Sequence, residues 1–130
     1  MESKNKNELP IIYSCSGTSN VAQLANDIAV KINEEEIAEM SCIAGVGGKV
    51  KPLVKKAQSG RPIIVIDGCP LNCAKACLNN VDVEPDKHIV LTDYNLKKKF
   101  NSKLRLEDEE ELYNKIVEET KMIYPLTEEV

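Results

Sequence analysis

The fold is decided by residues 62–77, PIIVIDGCPLNCAKAC. Pro62 to Asp67 is a short continuous β-branched run, the pattern of a strand buried on both faces of a parallel sheet. Gly68 breaks it, and Pro70 stands where the first helical position would fall, so a helix is predicted from about Pro70 to Asn79. Strand, glycine turn and helix in immediate succession form one βα unit.

The same unit recurs on either side. Leu9 to Cys15 (LPIIYSC) reads as a strand closed by Ser16-Gly17. Val21, Leu24, Ala25, Ile28, Ala29 and Ile32 then repeat at helical spacing behind a Ser19 or Asn20 cap. Ile37 to Cys42 is a weaker strand, followed by the glycine-rich turn Ala44 to Gly48 (AGVGG) and a helix over about Val50 to Gln58. A fourth strand, His88 to Thr92, leads through the polar segment Asp93 to Lys103 into a final helix at about 107–123. Four such rounds predict an α/β fold, a three-layer Rossmann-like sandwich with a mainly parallel sheet of about four strands and right-handed crossovers. The whole chain, 1–130, is expected to be a single domain, as its length suggests.

Composition narrows the function. The net charge is −4, and there is no Trp and only one Phe, so neither a phosphate-binding basic surplus nor an aromatic stacking platform is at hand. Nucleic acid is therefore not an expected partner. Lys97-Lys98-Lys99 reads most simply as a solvated loop. Neither AGVGG nor Cys15 to Asn20 matches a nucleotide-binding loop, although both could offer backbone N–H groups to an anion. No apolar run approaches membrane-spanning length, and Met1 to Glu8 (MESKNKNE) does not read as a secretory leader, so a cytoplasmic location without membrane association is expected.

In a reducing compartment five cysteines point to metal or redox chemistry rather than to disulfides. Ligand sites of open parallel sheets form at the carboxyl ends of the strands. Cys15 and Cys42 end the first and second predicted strands, Cys69 follows the third, and Cys73 lies four residues on. Cys69, at the predicted helix cap, would sit at the positive end of the helix dipole, which favours negative charge on its sulfur. Four thiolates suffice for a tetrahedral zinc site. Cys77 lies a further turn from the edge and reads as the spare thiol. Asp67 reads as a brace for the Gly68 turn, with Ser16 and Gly17 as the adjoining loop. His88, at the start of its strand, is placed at the opposite edge, away from the cysteines.

IDGCPLNCA (Ile66 to Ala74), CSGTSNVAQLA (Cys15 to Ala25), SCIAGVGG (Ser41 to Gly48) and EPDKHIVLTD (Glu84 to Asp93), in that combination, resemble the DGC-domain zinc-binding protein family. The resemblance covers about 11–95 and leaves the acidic C-terminal helix outside. It implies four chelating cysteines, which map onto Cys15, Cys42, Cys69 and Cys73, and it does not require Cys77.

The first expectation is a metal-binding protein without catalysis, holding Zn with those four thiolates in a structural, sensing or trafficking role. The alternatives are a thiol redox or sulfur-transfer enzyme using Cys69 and Cys73, and an iron–sulfur cluster protein with the same thiolates. Against the enzyme stands the three-residue gap, since redox pairs are typically C-x-x-C. No Arg follows Cys15 or Cys69, which disfavours a phosphatase-like loop. An acidic surface and a terminal helix permit a homo-oligomer without demanding one.

Overall fold

The structure is a computed structural model that describes residues 9–102, 104 and 106–123. The reading of Met1 to Glu8 lies outside the described residues. In chain order the elements are β1 (Ile11–Ser14), α1 (Asn20–Glu34), β2 (Glu39–Met40), α2 (Ile43–Gly47), α3 (Lys51–Ala57), β3 (Ile63–Asp67), α4 (Cys73–Asn79), β4 (Lys87–Val90) and α5 (Glu110–Ile123). Short 3₁₀ turns, Leu91–Tyr94 and Leu106–Glu109, precede α5.

The four strands form one sheet in the order β2-β1-β3-β4, and every pairing is parallel. All residues of β1 and β3 are buried, as their β-branched runs require. From β1 the chain crosses one way to β2 and back past β1 to β3. Right-handed connections place such crossovers on opposite faces, a course compatible with the expected Rossmann-like layering. Helix α1 packs its apolar stripe, Val21, Leu24, Ile28 and Ile32 among others, against the sheet, with Ser19 Oγ accepting from Ala22 N at 3.1 Å. No helix among the described residues is long and apolar enough to cross a membrane.

Four local expectations change. Strand β2 is only two residues long, because it is an edge strand paired through Ile11 and Ile12 alone. AGVGG, read as a turn, lies largely within the short helix α2, to which Cys42 supplies the cap: its Sγ accepts from Gly45 N at 3.3 Å. Strand β4 ends at Val90, where the chain tightens into the Leu91–Tyr94 3₁₀ turn. Helix α4 starts at Cys73, not Pro70. Asn72 N donates to Cys69 O at 3.2 Å, so Pro70 occupies the second position of a β-turn, and Asn72 adopts the left-handed conformation (φ 57°) that separates turn from helix.

Candidate metal centre at the carboxyl edge

Cys15, Cys42 and Cys69 each follow directly, or within two residues, the end of β1, β2 and β3, and Cys73 opens α4. All five cysteines are free thiols. Cys15, Cys69 and Cys73 share one cavity of about 140 Å³, together with Ser16, Gly17 and Gly68, residues expected around the site. Cys42 is not among the residues lining it. Cys42 and Cys73 are exposed, Cys69 is half-buried and Cys15 is buried. Among the described residues no three Cys, His, Asp or Glu side chains converge closely enough to hold a metal ion.

Three of the four sulfurs accept a hydrogen bond. Gly68 N donates to Cys15 Sγ at 3.2 Å, Gly45 N to Cys42 Sγ at 3.3 Å and Lys98 Nζ to Cys69 Sγ at 3.3 Å. Such donors favour negative charge on sulfur, and a thiophilic cation calls for the same charge. Four cysteine sulfurs are the donor type that zinc takes, but here the sulfurs are not drawn together. Burial pushes the Cys15 thiol up to about 11; the Gly68 N–H opposes this, and negative charge at Asp67, Cys73 and Cys69 adds to it. Gly68 is required where it stands. A Cβ there would lie 2.7 Å from the Val21 carbonyl carbon and 2.9 Å from Ala22 N, so the turn after β3 meets the first turn of α1 backbone to backbone at the cavity.

Cys69 therefore lies in the turn before α4 and is not its cap. The cap is supplied from within the sheet: Asp67, 1% exposed, accepts from Ala74 N at 2.8 Å and Lys75 N at 3.3 Å. Its second oxygen also lies 2.8 Å from His88 Nε2. This corrects the placement of His88. With β4 only four residues long and Val90 paired to Asp67, its imidazole reaches the end of the sheet that carries the cysteines. Asp67 braces α4 as well as the glycine turn.

Cys77 lies one turn beyond Cys73 on α4, half-buried, where its thiol faces Gly47 of α2. Burial raises its pKa, as do the negative charges of Cys73 and Asp67.

The lysine run is not simply solvated. Lys97 and Lys99 are exposed, but Lys98 is half-buried, lines the cavity, and lies 5.3 Å from the Phe100 ring centroid. Composition hid it: a basic triplet reads as surface, and no local pattern singles out its middle member.

The fold places the chain in the parallel-sheet α/β class, with cysteines at the carboxyl edge of the sheet. Within that class, the DGC domain profile matches residues 11–116. The chain belongs to the DGC domain family, and the match runs into α5, beyond the limit of about 95 expected from sequence blocks alone. A relative, the anaerobic and virulence modulator AnvM of Pseudomonas aeruginosa, is 52% identical over 105 residues, covering 81% of this chain and 80% of its own. No solved structure matches the chain.

Proposed function

We propose that this chain is a non-catalytic metal-binding protein that holds zinc through Cys15, Cys42, Cys69 and Cys73 at the carboxyl edge of the sheet. The observation that carries the reading is the set of N–H···S bonds to Cys15, Cys42 and Cys69, on sulfurs contributed by three different strand ends. Zinc bound there would cross-link β1, the β2–α2 junction and the β3–α4 turn. Closing the site requires Cys42, now engaged in capping α2, to approach the cavity shared by the other three. Binding would therefore be coupled to a shift of α2, a route from metal occupancy to surface shape. The relative's name, a modulator, accords with a sensing role of this kind. With five free thiols, the chain is suited to a reducing, cytoplasmic setting.

One observation favours a second reading, thiol redox or sulfur-transfer chemistry. The Lys98 ammonium rests on Cys69, and Cys73 lines the same cavity. Elemental analysis of anaerobically purified protein, with an absorption spectrum, separates the two. About one zinc per chain in a colourless solution supports the metal site. Iron with visible absorption moves the same thiolates to a cluster, and metal-free protein with reactive Cys69 supports the enzyme. Cys69→Ser should lower zinc content and melting temperature together, whereas Cys77→Ser should leave zinc content unchanged.

A further inference from the structure

Residues 97–99 are strapped across the start of α1 by one buried side chain. Asn20 is 3% exposed. Its Nδ2 donates to Lys97 O at 2.9 Å, its Oδ1 accepts from Lys99 N at 2.6 Å, and its backbone N donates to Lys99 O at 2.8 Å. An asparagine that pairs in this way with the residues before and after Lys98 fixes the register of the strap. Lys97 and Lys99 are left outward, and the Lys98 ammonium is brought to 3.3 Å from Cys69 Sγ.

We propose that Lys98 is a functional member of the thiol site, carrying positive charge to the Cys69 sulfur, and that Asn20 is its positioning residue. Four thiolates around a doubly charged cation carry two net negative charges. An ammonium held against one sulfur offsets part of that charge and costs little reorganisation, because the strap is already ordered. This zinc-directed role rests on the metal-binding reading. The placement of charge beside Cys69 does not.

The test compares alkylation of Cys69 by iodoacetate, an anion, and iodoacetamide, its neutral analogue, in metal-free full-length protein, read by peptide mass spectrometry. The ratio of the two rates cancels the intrinsic reactivity of the sulfur and reports the local charge. Lys98→Met should lower that ratio about fivefold, and Lys98→Arg should preserve it. Asn20→Ala should lower it in the wild-type background and have no further effect in Lys98→Met, the result a merely structural role would not give. If Asn20→Ala melts below the assay temperature, Asn20→Ser, which is neutral and too short to reach Lys97 O, takes its place. In a parallel zinc competition with a chromophoric chelator, Lys98→Met should weaken binding about tenfold. A ratio unchanged in Lys98→Met overturns the inference even if zinc binds. A lowered ratio in a protein that takes no zinc sustains the charge placement and overturns the metal reading instead.

Discussion

His88 Nε2 and Asp67 Oδ2 lie 2.8 Å apart, tying the edge strand β4 to the carboxylate that caps α4. Asp67 is 1% exposed, and its removal leaves two helix-terminal N–H groups and an imidazole without their acceptor. Asp67→Ala should cost about 3 kcal/mol of unfolding free energy in urea titrations. His88→Ala should cost about 1 kcal/mol in the wild-type background, since its ring is partly solvated, and close to nothing once Asp67 is gone. Equal costs in both backgrounds would show that His88 stabilises β4 independently of the carboxylate.

A Cβ on Gly47 would approach Cys77 Sγ to 2.9 Å and Cys77 Cβ to 3.7 Å, so the thiol is a packing element between α2 and α4. Gly47→Ala should therefore destabilise by about 1 to 2 kcal/mol. In a Cys77→Ala background the clash is removed, and the same substitution should become neutral or slightly stabilising through helix propensity. Thermal melts of the four proteins in this cycle test the assignment, and a penalty that persists without the sulfur counts against it.

What was legible in the sequence followed from local chemistry. The β-branched runs at Ile11–Ser14 and Ile63–Asp67 and the apolar stripe of α1 specify buried strands and an amphipathic helix with no reference to the rest of the chain. Where partners lie far apart, the reading failed. Pro70 opens a turn because Asp67 caps the helix from within the sheet, and His88 joins the cysteine-bearing end because its partner is 21 residues away. Lys98 was hidden more deeply. Its orientation depends on Asn20, whose hydrogen bonds span 77 and 79 residues, and whose place beside Ser19 suggested only a cap. The positions of Cys15, Cys42 and Cys69 near strand ends were legible from the strand pattern, whereas the separation of Cys42 from the cavity that Cys15, Cys69 and Cys73 share goes with its capping bond within α2.

Glu39, on the edge strand β2, receives Lys56 Nζ at 2.8 Å and Arg61 Nη2 at 3.0 Å. Burial pushes its carboxyl up, but the two cationic hydrogen bonds outweigh this and hold it below the ordinary carboxylate value. A depressed folded-state pKa means that the stabilisation is fully present above the unfolded value near 4.5 and is lost as pH falls through the folded one. Glu39→Gln should therefore be about 1 kcal/mol less stable than wild type at pH 7, with the gap narrowing below pH ~4. A gap independent of pH would assign the loss to packing rather than charge.

Cys15 combines burial with a negatively charged neighbour, so its thiol stays protonated far above the range of an exposed cysteine. Burial is the main cause, the Gly68 N–H only partly offsets it, and the Asp67 charge adds to the rise. Pulsed alkylation of folded, metal-free protein at pH 7.5 should label the exposed Cys42 and Cys73 first and Cys15 last. Because only the thiolate reacts, labelling at Cys15 should rise about tenfold per pH unit through pH 8 to 10, with no plateau before about 11. Asp67→Asn removes one of the charges that raise the value and should shift the Cys15 profile to lower pH. A Cys15 profile that levels off near pH 8.5, as for an exposed thiol, would mean that the sulfur is open to water, and the burial assigned to Cys15 would be wrong.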